Sequence, residues 1–205
     1  MERVRRLHRR FVAGRRERVI AESIAALLPR GARLLDVGCG DGGITRAVAE
    51  LRPDVRAEGI DVFVRERTFV PVAPFDGHHI PHPAGAFDAV VFVDVLHHTD
   101  DPTELLAEAR RVATQAVVIK DHVLRGPLAR ATLRFMDHAG NPGEGVPFPY
   151  NYWTRAQWDA AFATLGLRVE AWRDRLRLYP PPADWIFGRA LHFVARLAPD
   201  EADPT

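Results

Sequence analysis

Residues Leu34 to Gly43 read LLDVGCGDGG, an apolar run that ends in an acid and then a cluster of glycines. Gly38 and Gly40 lack a Cβ, so the backbone there can take left-handed angles and let a ligand come close. Asp36 places a carboxylate at the mouth of that turn, two residues before Gly38. Such a charge repels phosphate and suits a cationic amino-acid moiety or a hydroxyl. Three Asp or His pairs downstream, His97-His98, Asp121-His122 and Asp137-His138, have the chemistry to accept a proton. Further acids stand at Asp61, Asp76 and Asp94.

Gly38-Cys39-Gly40-Asp41-Gly42-Gly43 also fits the G-x-G-x-x-G dinucleotide fingerprint, with Asp61 about 20 residues on, where a ribose-binding acid belongs. Two mononucleotide-binding halves are needed for that reading, whereas here the cofactor features are spent by about Asp94. A nicotinamide-dependent oxidoreductase therefore stays open as a rival.

The elements that must position these groups follow from patterning. An N-terminal helical extension covers residues 1–30, with Val4, Leu7, Phe11, Val19, Ile20 and Ile24 at helical spacing and a basic face from Arg3 to Arg18. Strands are expected at Ala32–Val37, Val55–Ile60, Phe69–Val72, Phe87–Val93 and Gln115–Ile119, with helices at Gly42–Leu51 and from Asp101-Pro102 to Val112. Strands alternating with helices mean a doubly wound parallel sheet. Residues 121–153 break the pattern with a short helix at Ala129–His138 and the aromatic, Gly- and Pro-rich stretch NPGEGVPFPYNYW, in which Asn141 reads as a turn residue. Thr154 caps a helix to about Leu165, Gly166 stops it, and strand-like segments follow at Leu167–Trp172 and Leu191–Leu197. Residues 200–205 read as a frayed tail.

With 205 residues, 47% of them hydrophobic, the chain can build one sizeable core. No run approaches the roughly 18 apolar residues of a membrane span, and no signal core follows the first arginines, so a cytoplasmic protein is expected. The single cysteine, Cys39, excludes an internal disulfide and a thiolate-rich metal site. A formal charge of +1 gives no global attraction to nucleic acid, and none is expected as partner. Lys120 is the only lysine, so positive charge is almost all arginine. The Arg-rich first helix reads as a solvated face, with contact to an anionic membrane surface as the lesser alternative.

The order LLDVGCGDG, GIDV, FDG, then FDAVVFVDVLHH and a late strand pair resembles a class I S-adenosylmethionine-dependent methyltransferase, in the small-molecule branch that includes the ubiquinone and menaquinone C-methyltransferases. The resemblance is strong over residues 31–120 and in outline over 154–197. It implies an α/β, Rossmann-like doubly wound sheet of seven strands over residues 31–199, mostly parallel with an antiparallel last strand, and a lid inserted after strand 5. It implies S-adenosylmethionine as cofactor, with Asp36, Gly38, Cys39 and Gly40 along the methionine moiety. Asp61 would take the ribose hydroxyls, Asp76 and Gly77 would meet the adenine amino group, Val62 would be a further cofactor-binding residue, and Asp94 would sit near the sulfonium. His97 and His122 are the candidate bases, and a small molecule is the expected acceptor. A non-catalytic cofactor-binding module is a second rival. Phe148, Tyr150, Tyr152 and Trp153, with Phe135 and Met136, are candidate lid walls. No metal is expected, because His78, His79 and His82 lie on a Pro-rich loop rather than on elements that would converge them on Asp94 and His97-His98.

Overall fold

The computed structural model describes residues 2–140, 150–188 and 190–200, with side chains described from 14 to 138 in the first of these segments. The expectations for Asn141, Phe148 and the tail from residue 201 lie outside the described residues. The chain runs α1 (Glu2–Ala25), β1 (Arg33–Val37), α2 (Gly43–Leu51), β2 (Arg56–Asp61), β3 (Val72–Pro74) and β4 (Phe87–Val93). A 3₁₀ turn at Leu96–His98 leads to α3 (Pro102–Val112), β5 (Ala113–His122), α4 (Ala129–Gly140), α5 (Arg155–Thr164), β6 (Leu167–Arg173), α6 (Ala183–Phe187) and β7 (His192–Pro199).

The seven strands form one sheet in the order β3-β2-β1-β4-β5-β7-β6. The first five are parallel, and β7 runs antiparallel to both β5 and β6 between which it is wedged. Central strands are apolar on both faces because helices cover both. Along β1, Leu35 and Val37 join one core with Phe92, Leu105, Leu106, Trp158 and Phe162, beneath α3 and α5. Leu34 joins the other, with Ile20 and Ile24 of α1 and Val48 of α2. Asp101 caps α3 through Thr103 N, with Pro102 in its first turn, and Thr154 and Gln157 form a capping box on α5. Gly166 ends α5 at φ +58, an angle that side chains rarely adopt.

Two expectations need correction. The third strand lies at Val72–Pro74, not Phe69–Val72, because its register is set by pairing with Gly59–Asp61. The fifth runs from Ala113 to His122, so Asp121 and His122 belong to the strand and the inserted segment starts after them. Charged residues at 120–122 disguised the strand end, and there they are buried against partners from other elements.

Candidate active site

The C-terminal ends of the parallel strands deliver the chemistry to one sheet edge, the usual crevice of such sheets. After β1, Gly38, Gly40 and Gly42 all take left-handed angles. At Gly38 a Cβ would stand 2.6 Å from Val95 Cγ2, so only glycine allows the segment after β4 to close on the turn. Asp36 is 2% exposed and takes a 2.5 Å hydrogen bond from Thr45 Oγ1. Its Oδ1 is buried with no hydrogen-bond partner among the described residues. Burial, outweighing the Thr45 bond and helped by Asp61, lifts its pKa to about 7. An orphaned buried acceptor beside a glycine turn fits a ligand that brings a donor or a cation.

Asp61, at the end of β2, braces this turn: Oδ2 accepts from Gly40 N at 2.7 Å and Oδ1 from Phe63 N at 2.9 Å. Each oxygen keeps a second lone pair for a ligand hydroxyl. Val62 and Phe63 beside it are exposed, an apolar margin on the crevice. Asp76 is exposed, and its Oδ1 accepts from His78 N and His79 N, an Asx turn that holds Gly77 at φ +88. Cys39 packs its Sγ where a Cβ of Gly59 would stand, and burial pushes its thiol pKa up to about 12, which makes it a filler rather than a nucleophile.

Asp94 is not a free carboxylate. Lys120 Nζ binds one oxygen and Arg16 Nη2 the other. Burial opposes its charge, but those two cations hold its pKa well below the ordinary value. Lys120 is itself fully buried and faces α1, because the strand alternation that sends Val118 to that side sends residue 120 there too. Its Nζ also lies 3.4 Å from His192 Nδ1, at the first residue of β7.

On the same edge His97 Nδ1 meets Asp121 Oδ1 at 2.6 Å, and His97 Nε2 lies 3.5 Å from Asp137 Oδ2 of α4. Burial disfavours a charge on His97, but Asp121, Asp94 and Asp137 outweigh it and raise its pKa. His122 is different: burial, followed by the neighbouring His97, lowers its pKa. Its Nδ1 stands 3.3 Å from His97 Nδ1, 3.6 Å from Asp121 Oδ1 and 3.9 Å from Asp94 Oδ1. Tyr152 OH donates to Asp137, and Asn151 N to His97 O, so the inserted segment closes on His97. Met136, Tyr150 and Tyr152 do pack there, around Leu133 and Leu191, whereas Trp153 packs on Trp158 in the main core and Phe135 is exposed.

Donor atoms of Asp94, His97, Asp121 and His122 lie within 4.8 Å of one another, a set whose chemistry could hold a cation. Lys120 and Arg16 already occupy Asp94, and a raised pKa favours the imidazolium of His97 beside Asp121, so the chain's own positive charges balance these acids. The loop histidines point elsewhere, with His78 paired to Glu104 and His79 to Glu108. Sequence reasoning missed Arg16, Lys120 and His192; the one available signal was a lysine inside the apolar run VVIKDH.

Curated relatives match by parts. The chain is 35% identical over 98 residues to the tRNA (carboxymethyluridine(34)-5-O)-methyltransferase of Xenopus tropicalis, covering 46% of this chain and 14% of that protein. To the ubiquinone biosynthesis O-methyltransferase of Xanthomonas axonopodis it is 32% identical over 99 residues, covering 40% and 38%. The chain thus spans well under half the length of these relatives. Among solved structures, the complex of the Haloferax volcanii Trm112 methyltransferase activator with a putative methyltransferase aligns at TM-score 0.68 and 14% identity, covering 95% of this chain and 94% of that one. A putative methyltransferase of Bacillus halodurans aligns at TM-score 0.63 and 15% identity, covering 89% and 99%. These likenesses concern the fold. A methyltransferase-domain family profile matches residues 10–171, most of the chain, and with the seven-stranded order and the glycine turn this makes the protein a member of the S-adenosylmethionine-dependent methyltransferase family.

Proposed function

We propose that the chain transfers a methyl group from S-adenosylmethionine to a small-molecule acceptor that gives up a proton, with His122 as the base. The observation that carries this is the meeting, at one sheet edge, of a glycine turn with an orphaned carboxylate and a neutral imidazole backed by Asp121.

Bound in the crevice, the cofactor supplies an electrophilic methyl on a sulfonium. The remaining work belongs to the chain. Asp36 and the Gly38–Gly40 turn would hold the methionine moiety, Asp61 the ribose hydroxyls, and Asp76 with Gly77 the adenine, with Val62 beside Asp61 in the same site. Asp94, neutralised by Lys120 and Arg16, fixes the floor between β4, β5 and α1 rather than meeting the sulfonium as a free charge. In the tautomer this role requires, His122 carries its proton on Nδ1, turned to Asp121 and Asp94 beside His97 Nδ1, and Nε2 would take the acceptor's proton. His97, flanked by Asp121 and Asp137, is a positioning residue: it carries charge, orients its neighbour and ties the lid to the sheet. Alignment of acceptor and donor under a lid that excludes water is worth several kcal/mol in such displacements, about 7–11 in favourable cases.

Turnover to S-adenosylhomocysteine with a panel of phenolic, enolic and amino acceptors tests this reading. Product with a small molecule supports it; transfer only to bulk tRNA assigns the acceptor to the other class represented among the relatives. Cofactor binding with no turnover on any acceptor favours a non-catalytic module, and binding of NAD(H) with no response to S-adenosylhomocysteine overturns the reading.

A further inference from the structure

Helix α4 is apolar on two faces. Ala129, Leu133 and Met136 turn inward to Tyr152 and Leu191, as one stripe of an amphipathic helix should. Leu128, at the residue before the helix, Ala131 and Phe135 follow a second stripe at the same spacing, and it faces outward, with Leu128 73% and Phe135 60% exposed. The neighbouring α6 continues this surface. Phe135 and Phe187 stack with ring centroids 6.1 Å apart, and beside Phe187 stand Trp185 at 73% and Ile186 at 55% exposure. Large exposed apolar side chains gathered on two adjoining helices, linked through Phe135 and Phe187, are what binding faces display.

Charge says what it binds. Arg130 and Arg134 are exposed between the apolar residues of α4, Asp137 is buried under Tyr152, and the Asp184 carboxylate accepts from Tyr179 N. An open depression of about 630 Å³ beside the face is lined by Leu124, Leu128, Ala129, Arg130, Arg134 and Thr154. A two-fold pair through this face would set one basic patch against another, which disfavours self-association through it. Apolar side chains, a tryptophan at their edge and interleaved arginines are the composition of a surface that lies in the headgroup layer of an acidic membrane. We propose that the outward face of α4 and α6 docks on an anionic lipid bilayer.

The proposal is independent of turnover and is tested by sedimentation of the whole chain with phosphatidylcholine vesicles made with and without phosphatidylglycerol. The chain is expected to sediment with the anionic vesicles and to stay in solution with the neutral ones. Phe135→Ser with Trp185→Ser should weaken partition at least tenfold by removing the inserted groups. Arg130→Gln and Arg134→Gln, which leave the apolar face intact, should each weaken it about fivefold. All four side chains are exposed, and an unchanged circular dichroism spectrum certifies each variant. The proposal is overturned by no binding to anionic vesicles, by equal binding to neutral ones, or by a dimer that Phe135→Ser dissolves. Binding that neither set of variants weakens overturns it too, because it would belong to another surface such as the arginine-rich start of α1.

Discussion

Asp36 holds its proton in the folded state up to about pH 7, whereas the unfolded chain releases it near the ordinary 3.8. Its contribution to stability therefore falls as pH rises through that window, and above it the fold carries a buried charge that a cationic ligand would relieve. We expect affinity for S-adenosylhomocysteine to rise as pH passes through about 7, and Asp36→Asn to remove that dependence and weaken binding by about 1.5–3 kcal/mol at the alkaline end. Calorimetry across pH checks this, and a flat profile in the unmodified chain counts against it. His122 has the opposite sign, since burial and the neighbouring His97 lower its pKa from the ordinary 6.5 and favour the neutral form. Activity should accordingly persist into mildly acidic solution and drop only below that value, with an apparent pKa that belongs to the coupled His97–His122 pair. His122→Ala is expected to abolish turnover and leave cofactor affinity intact, whereas His97→Gln should move the acid limb. Full activity in His122→Ala removes it from the mechanism.

At the level of elements, the lid is held by the Tyr152 hydroxyl on Asp137, by Asn151 N on His97 O and by the Asp137 charge 3.5 Å from His97 Nε2, rather than by apolar packing alone. Tyr152→Phe leaves Asp137 without its donor, at a cost of about 1–3 kcal/mol. Amide exchange should accelerate in α4 and residues 150–153 while β1 and β4 keep their protection; uniform acceleration would mean that the Tyr152–Asp137 contact serves the whole fold. Which elements could be read from sequence follows from what stabilises them. Phe87–Val93, apolar but for Asp88 near its start, appears at its expected bounds because burial on both faces needs no knowledge of partners. Val72–Pro74, three residues at a sheet edge, has no such signature and exists only through its pairing with β2. The same division runs through the site. Asp94, His97 and His122 could be found because strand ends in such sheets point at the crevice. Arg16 and His192 come from the distant α1 and β7, and nothing local to either announces that it reaches Asp94 or Lys120.

Over the whole molecule, the two cores on either side of the sheet are joined at the site edge by one charge network in which Lys120 of β5 touches Asp94 after β4 and His192 of β7, and α1 adds Arg16. Burial lowers the Lys120 pKa against the pull of Asp94, so the ammonium is held at the expense of desolvation. Lys120→Met leaves Asp94 with Arg16 alone and is predicted to cost about 3–5 kcal/mol in urea unfolding, with Lys120→Met combined with Asp94→Leu recovering much of it. A loss under about 1 kcal/mol would show the pair to be dispensable to the fold. The order of the strands has a consequence for the chain as it is made. Because β7 separates β5 from β6, both emerge from the ribosome before the strand that joins them, and β5 waits with an open edge whose terminal residues are those of the site. Such an edge invites pairing with other chains. The nascent protein thus exposes the strand that ends in Asp121 and His122 until His192 arrives to pair with His122, so the interval between β5 and β7 is one in which that edge is open to other chains.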